Sequence, residues 1–305
     1  MNNQAKKISI VLIGYNTESY LPETLNALNN LQVNQEDIEV IYVDDGSTDN
    51  SCDIFNTTEL NFRKKILKLK NNSGRVVARS KGIELANYDW VLFLNSNIQV
   101  NQDLIVEYIK STSHCDALVY MGSLKYTTED SIFCNYLNHP NRGMNYYKNH
   151  MLVDYKNVLF SNCLIKRSVF DKVNFNKNLR FYGGEELDWA YRMNKKFPNQ
   201  IRASKYAIAL RNNHPDFINH TKKLIEFGQF NFIELNERLQ LDIVKYKVLL
   251  QSNRLFLFTF KNLLKVSFTL YKVPVLNLIM IRLGFLSAIL KGYYTAKLRG
   301  DFKIT

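Results

Sequence analysis

Apolar residues follow two periods along the chain, and the switches between them mark out its elements. Residues 7–13, KISIVLI, are a near-continuous apolar run of strand length, as expected of a parallel strand covered on both faces. Tyr20, Leu21, Leu25, Leu28 and Leu31 then recur at helical spacing, with Thr17 or Ser19 as the candidate cap. Residues 38–43 repeat the strand pattern and run into Asp44, Asp45, Gly46 and Ser47, after which Thr48, Asp49 and Asn50 open a helix. Residues 65–70 read as a third strand, 74–86 as a helix, and 90–94 as a fourth strand ending at Asn95, Ser96 and Asn97. This alternation predicts an α/β domain around a Rossmann-like, mostly parallel sheet. Polar clusters then gather at the carboxyl ends of successive strands, the edge where open parallel sheets bind ligands.

From 116 to 157 no period is sustained, and the segment reads as irregular chain lining a substrate cleft. Regularity returns with a strand at 158–165, a short helix at 167–173, and a Gly-Gly turn at 182–192 entering a helix whose first turn is acidic. Negative charge is favoured at that end of a helix. A further strand spans 201–210. The tail reads as two apolar helices, 254–271 and 275–290, separated by Pro274 and with Arg282 interrupting the second. Neither gives the ~20 uncharged residues of a spanning helix.

Composition narrows the classes. With 305 residues, 46% hydrophobic and only 12 Gly and 5 Pro, the chain is neither disordered nor linker-rich. Cys52, Cys115, Cys134 and Cys163 are far apart and show no zinc spacing, which points to reduced thiols. The first apolar run is too short for a signal peptide and lacks a small-residue cleavage site, so a cytoplasmic protein is expected. Most of the +12 formal charge lies beyond residue 253, where nine Lys and Arg face the single acid Asp301. These cations alternate with Leu, Phe, Ile and Val, a pattern for an anionic membrane surface and not for nucleic acid. Arg254, Lys261, Lys265 and Lys272 fall on one narrow helical stripe.

Five motifs in order sharpen the picture: Tyr15-Asn16 after the first strand, Asp44 to Asp49 after the second, Gly74 through Arg79 to Gly82, Asn95-Ser96-Asn97 after the fourth, and Gly183-Gly184-Glu185-Glu186. Together they closely resemble the family 2 glycosyltransferases with the GT-A fold, of bacterial surface-polysaccharide type, over about residues 7–230. The resemblance implies a GT-A domain at 1–235; the remaining 236–305 read as a basic, apolar helical region that either associates with a membrane or packs as a hairpin on the catalytic domain or a second subunit. It further implies that Tyr15 stacks on the donor's base, that Asp45 with Asp44 beside it accepts from base or ribose, and that Arg79 and Arg75 neutralise the diphosphate. Asn95 and Ser96 would also face the donor. A flat aromatic face, an acceptor-only carboxylate and a guanidinium suit those tasks. Glu186 falls on the general base and Glu185 on a residue placing the acceptor, with Asp188 a rival for the base although its spacing fits a helix-surface role.

The departures are specific. The family's D-x-D metal motif falls on Asn95-Ser96-Asn97, which has no carboxylate. Mg²⁺ and Mn²⁺ prefer carboxylate oxygens, so the Mn or Mg that the family implies is poorly provided for; Asn97 and His214 are the candidate ligands. Ile13 replaces a common Pro and Ser80 a common Asn, without change of charge. The expected activity is inverting transfer of a sugar from a nucleotide sugar, chiefly a UDP-sugar, to a glycan or lipid-linked acceptor, peripheral on the inner face of the cell membrane. A non-catalytic nucleotide-binding or scaffolding subunit is the alternative, motivated by the missing carboxylates. A sugar nucleotidyltransferase fits less well, since no Gly-x-Gly-Thr-Arg-type loop follows the first strand.

Overall fold

The computed structural model describes residues 6–251 and 254–300. Its chain forms two compact units. The first holds residues up to Thr127, with 138–175 and 189–212; the second holds 128–137, 176–188 and the chain from Asn213 onward. Whereas the sequence pattern divides the chain at 235/236, the contacts group the tail with everything after Asn213.

The first unit is built on an eight-stranded sheet: β1 Ile8–Gly14, β2 Ile38–Asp44, β3 Arg63–Lys68, β4 Trp90–Asn95, β5 Gln99–Val100, β6 Val119–Tyr126, β7 Asn162–Lys166 and β8 Ile201–Arg211. The order is β3-β2-β1-β4-β7-β6-β8-β5. β3, β2, β1 and β4 run parallel, as do β6 and β8, while β7 and β5 pair antiparallel with their neighbours. This is the expected mostly parallel α/β class. All seven residues of β1 and of β2 are buried, which is why their sequences show no alternation. α1 Leu21–Asn29, α2 Ser51–Thr57, α3 Arg75–Leu85 and α4 Leu104–His114 complete the alternating half. α1 has no side-chain cap; instead the Thr17 carbonyl accepts from the Tyr20 and Leu21 amides, and neither Thr17 nor Ser19 fills the expected role.

The segment expected to be irregular contains β6, in the interior of the sheet. Its pattern is broken by Gly122 and Ser123, and the sheet needs both. A Cβ at Gly122 would lie 2.3 Å from the Asn162 amide nitrogen, and the buried Ser123 hydroxyl donates to the Lys205 carbonyl at 2.7 Å. Asn162 is itself fully buried and saturated, accepting from the Tyr108 hydroxyl and donating to the Ser123 and Ala207 carbonyls. Glu39, inside the apolar run of β2, is 1% exposed and accepts from Ser9, Lys65 and Asn87. Burial alone would raise its pKa; those donors outweigh burial and hold it below the ordinary carboxylate value.

The second unit contains α5 Ser131–Leu137, the loop entering α6 Glu185–Lys196, then α7 Phe217–Gln229, α8 Asn231–Glu234, α9 Glu237–Val244, α10 Arg254–Leu270 and α11 Asn277–Arg299. α6 gives its first four residues to this unit and the remainder to the first. The tail helices are packed: Phe260, Leu264 and Ser267 of α10 are buried, as are Ile281, Gly284, Ala288 and Leu290 of α11. α11 runs nine residues beyond the expected end, continuing through Gly292 and stopping at the left-handed Gly300. At 23 residues it is long and apolar enough to cross a membrane, although it contains Arg282 and Lys291 and half of its most apolar stretch is buried within the protein. Tyr293 and Tyr294 donate to the carbonyls of Leu250 and Leu249 at 2.7 Å each.

Backbone meets backbone where α7 crosses α11. A Cβ at Gly228 would lie 2.0 Å from the Ile289 carbonyl oxygen, and one at Gly292 would lie 2.1 Å from that of Ile225. Helix propensity alone makes Gly228→Ala stabilising by about 1 kcal/mol; overpacking makes it destabilising by about 1–3 kcal/mol. Urea unfolding is expected to show a loss for Gly228→Ala, and a gain would mean that this crossing does not exist in solution.

Candidate functional site

At the carboxyl end of β1 and β2 the polar clusters are tied to one another. Asp45 donates its amide to the Gly14 carbonyl at 2.8 Å, so the loops after the two strands leave the sheet side by side. Asn16, in the left-handed region at φ 51°, donates its amide to the Ser47 hydroxyl at 2.8 Å and accepts from the Thr48 amide at 2.9 Å. Thr17 and Glu18 donate their amides to Ser51 and Asp49.

Asp44 and Asp45 serve different ends. Asp44 is fully buried and accepts from the Ser47 amide at 2.9 Å, from the Ser47 hydroxyl, and from the Tyr42 hydroxyl at 3.4 Å. Burial pushes the Tyr42 pKa up, which keeps that hydroxyl a donor. The Asp44 carboxylate is thus occupied in shaping the turn. Asp45 is 6% exposed and accepts from the amides of Ser73 at 2.7 Å and Gly74 at 2.9 Å, one on each oxygen. Each of its oxygens keeps a second lone pair. Burial, with the Asp44 charge beside it, raises the Asp45 pKa against those two amides. Gly74, at φ 87°, caps α3, and a side chain there would be strained. Tyr15 is 45% exposed, so its ring is not a core aromatic.

Arg75 opens α3 half-buried. Arg79, one turn on, is 1% exposed, with its guanidinium over the Phe160 ring at 5.0 Å. Phe160 in turn stacks on Phe93 and meets Trp189 edge-on. Buried against the Phe160 ring, Arg79 is unlike an arginine on a solvated helix face.

The Asn95-Ser96-Asn97 turn offers no carboxylate to a hard cation. Asn95 donates its amide to the Ser161 hydroxyl at 2.9 Å. Ser96 is buried, with its backbone paired to Ile13 and to the Thr24 hydroxyl. Among the described residues no three His, Cys, Asp or Glu side chains gather in a way that could hold a metal ion. His214 is buried, its Nδ1 2.8 Å from the Pro215 carbonyl and its ring tilted against His220 and Phe133. Neutral amide oxygens and a hydroxyl are weak partners for Mn²⁺ or Mg²⁺.

In the second unit, Gly183 and Gly184 both adopt positive φ, 81° and 86°, and deliver the chain into α6. A Cβ at Gly184 would lie 2.7 Å from the Phe227 ring, so only Gly fits this turn against α7. Glu185, Glu186 and Asp188 form the first turn of α6. Glu185 and Asp188 are buried, at 2% and 5% exposure, which corrects the surface role given to Asp188. Glu186 is partly exposed. Asn231, absent from the sequence reading, is fully buried and accepts from the Phe181 amide while donating to the carbonyls of Phe181 and Gly183. Nothing in the residues around Asn231 announces that role.

Residues 9–173 match the family described as Glycosyl transferase family 2. The chain is 31% identical over 121 residues to a poly(ribitol-phosphate) beta-glucosyltransferase of Bacillus spizizenii, covering 39% of this chain and 19% of that protein. It is 30% identical over 188 residues to the glycosyltransferase GlyG of Streptococcus pneumoniae, covering 57% of this chain and 61% of that one. The chain therefore spans less than two thirds of the length of these curated relatives. Among solved structures, S. aureus TarS 1–349 in complex with UDP-GlcNAc superposes with a TM-score of 0.60 at 16% identity, covering 98% of this chain and 93% of that one. The mannosyltransferase PcManGT of Pyrobaculum calidifontis, in complex with GDP-Man and Mn²⁺, gives a TM-score of 0.55 at 12% identity over 77% of this chain and 66% of that one. These likenesses show the fold, which is GT-A.

The role of Asp44 has a measurable consequence. Asp44→Asn puts an amide where three donors converge, and unfolding is expected to show a loss of about 1–3 kcal/mol. Asp53→Asn, at an exposed position on α2, serves as the control with a change near zero; equal effects would remove the turn-shaping role.

Proposed function

Since the chain belongs to glycosyltransferase family 2, we propose that it transfers a sugar from a UDP-sugar, with inversion, to a hydroxyl of a glycan or lipid-linked acceptor in bacterial surface-polysaccharide synthesis. The observation that carries this reading is the edge shared by β1 and β2, where an exposed Tyr15 neighbours an Asp45 fixed by two amides with a lone pair left on each oxygen. Such a pair can hold a base by stacking and by accepting from its N–H. The complexes of S. aureus TarS with UDP and with UDP-GlcNAc support uridine as the nucleoside.

In this mechanism the acceptor hydroxyl gives its proton to the Glu186 carboxylate as its oxygen attacks the anomeric carbon. The bond from that carbon to the diphosphate oxygen breaks on the opposite face, and one displacement inverts the configuration. Arg79 and Arg75 offset the charge that develops on the leaving diphosphate, an interaction strengthened where a guanidinium is buried beside a ring, as Arg79 is beside Phe160. Glu185 orients the acceptor. No step is assigned to a divalent cation, because Asn95, Ser96 and Asn97 suit one poorly. Glu186→Gln is expected to keep UDP affinity by calorimetry while turnover falls by roughly 10²-fold or more; retained turnover would reassign the base.

The tail supports a place at an anionic membrane surface. Leu255, Phe258, Val275 and Ile279 are 62–87% exposed, among the exposed cations Arg254, Lys261, Lys265, Lys272 and Arg282. No acid occurs between Asp242 and Asp301. An apolar surface ringed by cations inserts into the headgroup boundary of an anionic leaflet, which would bring the enzyme to a lipid-linked acceptor. Because α11 packs on α7, surface substitution tests this more cleanly than truncation. The full chain is expected to sediment with phosphatidylglycerol vesicles at low salt and Phe258→Glu with Val275→Glu to abolish it; a wild-type chain that stays in solution would refute the membrane reading.

A further inference from the structure

The loop that delivers Glu186 also carries an exposed aromatic surface. Phe181 stacks on Phe230 with ring centroids 4.2 Å apart and planes 19° from parallel. Each ring lends one face to the other, yet Phe181 remains 48% and Phe230 37% exposed. Leaving apolar ring surface in water is unfavourable in the free protein, and no packing requirement within the loop accounts for it.

The stack is also held rigidly. Asn231, next to Phe230 in the chain, accepts from the Phe181 amide at 3.2 Å and donates to the carbonyls of Phe181 and Gly183 at 2.7 Å each. Three hydrogen bonds from one buried side chain fix the backbone that bears the ring, and the Phe227 ring closes against Gly183 and Gly184 just beyond it. A surface whose supports are locked in advance binds without an ordering penalty.

We propose that the Phe181–Phe230 stack is a platform for a sugar ring of the acceptor, a role that rests on the reading of Glu186 as the base. Five residues separate Phe181 from Glu186, so their Cα atoms lie within about 18 Å, the length of a short glycan segment. The chemistry matches: one face of a pyranose presents polarised C–H groups, which suit the negative face of an aromatic ring, while its hydroxyls project past the ring edges. The size matches as well. Two ring faces supply at most a few hundred Å², well short of the roughly 800 Å² per partner that a stable protein interface buries. Neither a second copy of the chain nor another protein would be held by so small a patch.

Saturation-transfer NMR on the full chain, with methyl β-D-glucopyranoside and methyl N-acetyl-β-D-glucosaminide as probes, tests the platform. Ring C–H protons of at least one glycoside are expected to receive saturation. The signal should weaken by roughly tenfold in Phe181→Ala with Phe230→Ala and survive in Phe181→Tyr, which keeps the ring. Both positions are exposed, so the melting temperature should hardly move. UDP affinity, measured on the same samples, should be equal in all of them. Equal saturation in the wild type and the double variant, or none in the wild type with either probe, would overturn the platform. A chain that binds the glycosides but not UDP would keep the platform and overturn the donor reading, so the two failures are distinct.

Discussion

Parallel strands that end together pass into loops at one edge of the sheet, and the backbone amides of those loops need acceptors from the protein or from water. In this chain side-chain carboxylates and amides supply many of them. Asp44 takes the Ser47 amide, Asp45 those of Ser73 and Gly74, Asp49 that of Glu18, and Asn16 that of Thr48. The donor edge is therefore cross-tied before any ligand arrives. The same requirement recurs in the second unit, where Asn231 satisfies the backbone of the Gly-Gly loop from the side.

This constraint explains why neighbouring acids divide their work. Asp44, with three donors on its carboxylate, shapes the turn. Asp45 carries one amide on each oxygen and retains acceptor capacity. Around the acid turn, Glu185 and Asp188 are buried while Glu186 keeps contact with solvent. Preorganisation of this kind lets a site offset developing charge without rearranging.

The alternating half of the fold was legible because β1 and β2 are buried on both faces and wear that fact as continuous apolar runs. β6 was not, because Gly122 and Ser123 are demanded by close approach of Asn162 and by the Lys205 carbonyl, neither visible along the chain. Asp188 was placed on a surface because helical spacing gives an angle and not a neighbour; burial came from tertiary packing. The tail's cations were legible as exposed positions, but its partner α7 was not, since the Gly228 and Gly292 crossing depends on two small residues far apart in sequence. Asn231 with Phe181, and Arg79 with Phe160, join residues whose separation no local pattern records.

The central claim is transfer from a nucleotide sugar by a single displacement, and the stereochemistry of released sugar tests it most directly. Proton NMR can follow the slow hydrolysis of UDP-glucose and UDP-GlcNAc, both α-linked donors, with water standing in for the acceptor and so with no need to know its identity. The account predicts that UDP release from one of them is accompanied by β-anomeric sugar first, before mutarotation mixes the anomers. Initial release of the α-anomer, or no release from either donor, would contradict it.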